Sequence, residues 1–109
     1  MKILIREHDP CIRDMHMIMF RKNHVITLMP RGKDYYHLEY LSQFHVIIVS
    51  EFFPEVSGYK FVELARKAGY IGKIILLYSS LSPMYISDEN TKVLSLCSTK
   101  EVLLAEIQL

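Results

Sequence analysis

The chain has 109 residues, 50% of them hydrophobic and 23% charged, the size and composition of one domain with one core. Thirteen basic against twelve acidic residues leave a formal charge of +1, so net charge draws the chain neither to nucleic acid nor to an anionic membrane. No apolar run approaches the roughly 20 residues that span a bilayer, and Met1 leads into a strand-like run rather than a signal peptide, so a cytoplasmic location is expected.

The first element is a strand from Lys2 to Arg6, a short aliphatic run without polar alternation. A helix follows, because Asp9 can cap it and Pro10 suits the first helical position, where no backbone donor is needed. Ile12, Met15, Ile18 and Met19 fall on one face of that helix and are expected to pack inward. His24 to Met29 reads as a second strand. A helix from about Lys33 to Ser42 comes next, with Leu38 and Leu41 as its core contacts and Tyr35, Tyr36 and Tyr40 covering the sheet edge. His45 to Val49 is a third strand. The next helix, Gly58 to Ala68, is expected to bury Phe61, Leu64 and Ala65, with Gly69 as a left-handed cap. Lys73 to Tyr78 is a fourth strand and Lys92 to Leu96 a weaker fifth. Between them, Ser79 to Thr91 scatters apolar residues among Ser, Pro, Asp and Asn, which predicts a short or distorted helix, or only a loop. Ser98-Thr99-Lys100-Glu101 has the pattern of a capping box, and Val102, Leu103 and Ile107 form the stripe of a last helix. Strands alternating with helices make a single α/β domain, residues 1–109, with a parallel sheet.

Two cysteines, Cys11 and Cys97, make no disulfide framework and read as reduced structural thiols. His16, His24, His37 and His45 stand at no metal-ligand spacing. A flavodoxin-like enzyme would need a glycine loop after the first strand to cradle phosphate, and only four glycines are present in all. Neither an enzymatic activity nor a cofactor is expected.

Residues 2–10, Lys-Ile-Leu-Ile-Arg-Glu-His-Asp-Pro, resemble the start of a response regulator receiver domain, where a strand ends in an acidic pair and a helix opens with Asp-Pro. Residues 46–61 resemble the third strand, phosphorylation loop and third helix of the same family, with the family's spacing from Pro54 to Gly58, and Ala65 to Leu77 resembles the run into its fourth strand. The resemblance implies a CheY-like, flavodoxin-like, doubly wound five-stranded parallel sheet in the order 2-1-3-4-5, here with a shortened fourth helix.

Phosphotransfer in that family needs a carboxylate nucleophile, acidic ligands for magnesium, a hydroxyl after the fourth strand and a lysine after the fifth. The metal and lysine neutralise the transferring phosphoryl group while the carboxylate attacks phosphorus. Position by position, the resemblance places Ser50 at the phosphoacceptor, Glu7 and His8 at the acidic pair, Tyr78 at the hydroxyl, and Ser95, followed by Leu96, at the lysine. One carboxylate beside an imidazole is a poor magnesium site, and no metal is expected. Adjacent strand residues point to opposite faces, which argues against Glu7 and His8 sharing a soft metal. Phe52 or Phe53 is expected to plug the pocket. The implied function is a phosphorylation-independent receiver serving as a protein-interaction or dimerisation module in bacterial signalling, with a small-ligand or metal sensor as the alternative. Its expected partners are another protein, a second copy or an output domain fused beyond this chain, and neither nucleic acid nor membrane. Leu81, Met84, Tyr85 and Ile86, apolar residues in an irregular segment, are expected to contribute to a constitutive interface.

Overall fold

In a computed structural model the described residues are 1–29, 37–51, 56–78, 88–96, 98 and 100–108. Their elements in chain order are β1 (Lys2–Arg6), α1 (Pro10–Phe20), β2 (Val25–Leu28), α2 (Leu38–Leu41), β3 (Val46–Ser50), α3 (Gly58–Lys67), β4 (Lys73–Tyr78), β5 (Thr91–Ser95) and α4 (Lys100–Gln108). The five strands are all parallel and lie in the order β2-β1-β3-β4-β5, as the resemblance implies.

Strand alternation divides the core in two. Leu4, Ile47, Val49, Ile74 and Leu76 face Leu41 of α2 and Phe61, Val62 and Ala65 of α3. Their neighbours Ile3, Ile5, Val46, Ile48, Ile75 and Leu77 face Phe20 of α1 and Leu103 and Ile107 of α4. Both faces are therefore covered, which is why β1, β3 and β4 read as continuous apolar runs. Among the described residues no helix is long and apolar enough to cross a membrane.

The local signals hold where short-range chemistry sets them. Asp9 caps α1, its Oδ1 accepting from the amides of Cys11 (2.8 Å) and Ile12 (3.4 Å), and Pro10 opens the helix. Ser42 closes α2. Gly69, at φ 105°, takes the left-handed conformation that ends α3.

Four helix faces differ in part from expectation. Met15 and Ile18 are exposed, and α1 instead buries His16 and Phe20, one turn apart. Val102 is also exposed, because Leu103 and Ile107 set the inward face of α4 and a residue one step away turns through about 100°. Leu38, at the first turn of α2, is half exposed while Leu41 is fully buried. Leu64 of α3 is only partly buried, and Val62 fills the core beside Phe61 and Ala65. The segment from Lys33 to Tyr36, the Phe52 and Phe53 side chains, Thr99 of the expected capping box and residues 79–87, where a short helix or a loop is expected, lie outside the described residues.

His16 has consequences for stability. Both its ring nitrogens are buried without a hydrogen-bond partner, and its ring lies against Phe20 at 6.2 Å between centroids. Burial lowers its pKa from the ordinary 6.5. The unfolded chain therefore takes up a proton at His16 before the folded chain does. The His16 contribution is expected to be constant above about pH 6.5. Below that value it should fall by up to about 1.4 kcal/mol per pH unit, until the depressed folded pKa is passed. Urea denaturation across pH 5 to 8 measures this. His16→Leu should remove that part of the slope and, by replacing an unsatisfied ring with an apolar side chain, stabilise the protein by about 1 kcal/mol. His24 titrates in the same sense, its pKa lowered by burial and by the nearby N-terminal ammonium, and would account for slope that survives the substitution.

Candidate functional site

In open parallel sheets the side chains able to do chemistry gather beyond the carboxyl ends of the strands. Here β1 ends at Arg6, so Glu7 and His8 belong to the connection into α1, and both line one cavity of about 200 Å³. The expectation that they point apart, drawn from strand geometry, fails because the strand has already ended. The cavity is completed by Asp9, Ile12, Ser50, Glu51, Leu77 and Leu96.

Its centre is a hydrogen bond across the chain. Ser50, the last residue of β3 and 5% exposed, donates its hydroxyl to Oε1 of Glu7, which is 7% exposed. The other oxygen, Oε2, accepts from the backbone amides of His8 at 2.7 Å and Asp9 at 3.3 Å. The carboxylate is thus held by three donors from the protein itself, two of them from the loop it begins. Buried carboxylates persist when such donors replace water.

Tyr78 and Ser95 are register partners at the ends of β4 and β5, and the Leu96 amide continues the ladder to the Tyr78 carbonyl at 2.7 Å. Neither lines the cavity; Leu77 and Leu96 face it instead. Where β4 and β5 end, the cavity wall is therefore aliphatic. A magnesium ion would need open oxygen ligands. Both Glu7 oxygens accept hydrogen bonds and Asp9 Oδ1 caps α1, while Glu51 is a further carboxylate lining the cavity. Among the described residues no three His, Cys, Asp or Glu side chains come together to hold a metal.

One residue the sequence reading treated only as part of a strand shapes this end of the molecule. Arg6 is fully buried on the α3 face of the sheet, with its guanidinium 4.8 Å from the Phe61 ring centroid and Nη2 donating to the Val56 carbonyl at 2.7 Å. It pins the end of the β3–α3 connection to β1. The available signal was a charge at a position in phase with Leu4, where a core side chain belongs. Leu81, Met84, Tyr85 and Ile86 lie outside the described residues.

No family model and no curated relative matches this sequence. Solved structures do match its fold. The BeF3-activated receiver domain of RstA from Klebsiella pneumoniae aligns over 99% of this chain and 96% of its own, at 21% identity and a TM-score of 0.76. The chemotaxis protein CheY4 of Vibrio cholerae aligns over 98% and 95%, at 23% identity and 0.75. The receiver domain of the Francisella response regulator 1452 aligns over 98% and 93%, at 17% identity and 0.78. The chain has the receiver fold of response regulators.

Proposed function

We propose that this receiver-fold chain takes no phosphoryl group and acts as a protein-interaction module in signalling, its partner being another protein, a second copy or an output domain. The reading is carried by the Ser50–Glu7 hydrogen bond. A receiver carries out phosphotransfer with a carboxylate nucleophile beside carboxylates that hold a cation. Here the acceptor position carries a hydroxyl, which cannot form the acyl phosphate of a receiver and is hydrogen-bonded to Glu7, and the Glu7 carboxylate is held by protein donors. A constitutive surface is the use that remains, and the segment containing Leu81, Met84, Tyr85 and Ile86 is proposed to contribute to it.

Incubation with acetyl phosphate and magnesium, followed by intact-mass measurement at neutral pH, is expected to leave the mass unchanged. A labile adduct of one phosphate overturns the reading. Ser50→Asp alone should also remain unlabelled, since His8 stays at the metal-ligand position and Ser95 stays where a lysine would be needed. The cavity of about 200 Å³, walled in part by Ile12, Leu77 and Leu96, favours a second reading as a small-ligand sensor. A thermal-shift series with divalent metals and nucleotides separates the two, because a ligand selective for the folded chain raises its melting temperature.

A further inference from the structure

His24 and His45 stand at no metal-ligand spacing in the sequence, but the sheet brings both to the start of β1. Each is the residue just before a strand, His24 before β2 and His45 before β3, and those two strands flank β1. The parallel register sets His24 level with Met1 and His45 level with Lys2, because Val25 pairs with Lys2 and Val46 with Ile3. Main-chain hydrogen bonds fix both positions. The Val25 amide donates to the Met1 carbonyl at 2.9 Å, and the His45 amide to the Lys2 carbonyl at 2.8 Å. The two rings meet the first two nitrogens of the chain: the Met1 ammonium donates to His24 Nδ1 at 3.3 Å, and the Lys2 amide donates to His45 Nδ1 at 3.0 Å.

Two imidazoles alone make a poor metal site, but here the main chain supplies two more donors between them. In order, His24 Nδ1, the Met1 amine, the Lys2 amide nitrogen and His45 Nδ1 follow one another as neighbours. Copper(II) favours tetragonal sites with nitrogen donors. With metal–nitrogen bonds of about 2.0 Å, adjacent corners of such a square lie about 2.8 Å apart, slightly less than the two contacts described. The middle pair belongs to one N–Cα–C–N unit. It closes a five-membered ring on a metal once the terminal amine turns about its own Cα–C bond, a soft torsion. No core side chain has to move for this, since Met1, Lys2 and His45 are exposed and His24 is half-buried. The ion takes the place of one proton from the ammonium and one from the amide, both released to solvent, and no electron is transferred. The charge of the site is then the same before and after, a divalent ion with an anionic amide replacing an ammonium with a neutral one. The Lys2 side-chain ammonium, 5.9 Å from the Phe44 ring centroid, therefore meets no added charge.

From this arrangement we infer that the start of β1 is a copper(II) site, with His24 Nδ1, the Met1 amine, the Lys2 amide nitrogen and His45 Nδ1 as its donors. The inference stands apart from the phosphorylation question, because Glu7 and Ser50 lie at the other end of the strands. Copper(II) is titrated into the whole chain carrying Cys11→Ser, a change that removes an exposed thiol able to react with the metal itself. One ion per chain is expected to bind, with nitrogen hyperfine structure in its electron paramagnetic resonance spectrum and a raised melting temperature. His24→Gln and His45→Gln should each weaken binding at least about tenfold and leave the melting of the metal-free chain nearly unchanged. Acetylation of the Met1 amine should weaken it as much, because an acetylated nitrogen no longer offers an amine. Magnesium, which prefers oxygen ligands, should neither compete nor shift the melting temperature. A copper-induced thermal shift that vanishes when both histidines are replaced belongs to this site and not to the cavity at the other end of the sheet. One that survives the double substitution overturns the inference. So would a chain that takes up no copper at micromolar concentration, or an acetylated chain that binds as tightly as the free amine.

Discussion

Gly58→Ala should be among the most damaging single substitutions in this protein, lowering stability by about 3 kcal/mol and melting by roughly 12 to 20 °C for a domain of this size. Gly58 opens α3 directly against the end of β3, and its amide donates to the Glu51 carbonyl at 2.9 Å. A methyl group built there would lie 2.8 Å from the Ser50 carbonyl carbon and 2.8 Å from Leu76 Cδ1, and nearer still to the Ser50 carbonyl oxygen. The leucine can turn aside; the Ser50 backbone, hydrogen-bonded in the middle of a buried sheet, cannot. The relief available is to move α3 away from β3, which opens the packing of Phe61 and Val62 and loosens the connection that Arg6 holds. Alanine's advantage over glycine in helices, about 1 kcal/mol in an interior, is small at a first helical position and does not offset this. Thermal and urea denaturation of the variant measure the loss. A change within about 0.5 kcal/mol of wild type would show that α3 can shift freely, contrary to the contact described here.

Arg66→Met should cost a similar amount, about 3 kcal/mol, although it lies far from the candidate site. The Arg66 guanidinium donates to the carbonyls of Tyr70 (2.8 Å) and Gly72 (2.7 Å), to the Asn90 carbonyl and the Thr91 hydroxyl, each at 2.9 Å, and pairs with Asp88. Five partners on the entries to β4 and β5 therefore converge on one side chain from the last turn of α3, where a cation also suits the helix dipole. Charged hydrogen bonds contribute about 1.5 to 3 kcal/mol each when buried. The side chain is 20% exposed, so water replaces some of them and the sum is smaller than the parts. Burial works to raise the Asp88 pKa, but the Thr91 hydroxyl, the Asn90 amide and Arg66 together outweigh it and hold the carboxyl below its usual value. That contribution is present above the unfolded pKa near 4 and is lost as pH falls through the lower folded value. Arg66→Met should therefore also reduce the loss of stability on acidification. Arg66→Lys is expected to rescue little, because an ammonium offers three donors from one point and cannot bridge two strand entries. Hydrogen exchange should show β5 losing protection first, as the edge strand whose entry Arg66 holds. Equal protection in β5 of the variant and the wild type would count against the clamp.

Much of the architecture was decided by short-range chemistry. A run such as Val46 to Val49 is aliphatic throughout because each neighbour faces a different covered layer, and that pattern is readable without a structure. The Asp9 cap, the Pro10 start and the Gly69 stop each depend on atoms within three residues, so composition and spacing sufficed. Gly58 was legible by its spacing from Pro54, although the reason for it, the approach to Ser50, was not. The inward face of α1 was beyond reach for a physical reason. Ile12, Met15, Met17, Ile18, Met19 and Phe20 leave apolar residues on several sides of the helix, so periodicity does not choose its phase, and packing against β1 and α4 chose His16 and Phe20.

That a serine rather than a carboxylate ends β3 was readable from the sequence, but its partner was not: the Ser50 hydroxyl meets Glu7 across 43 positions of chain. The cavity wall likewise depends on which residue at each strand end turns inward, and the sheet brought Leu77 and Leu96 there while Tyr78 and Ser95 stayed outside. Arg6 and Arg66 show the same division. A long cation in a sequence carries no mark of its partners, since its side chain can reach several ångströms in any direction that solvent or packing permits. Local composition determined which segments form the sheet and where its helices start and stop. Only the tertiary structure decided which polar groups those segments bring together, because such pairings depend on where distant strands end relative to one another.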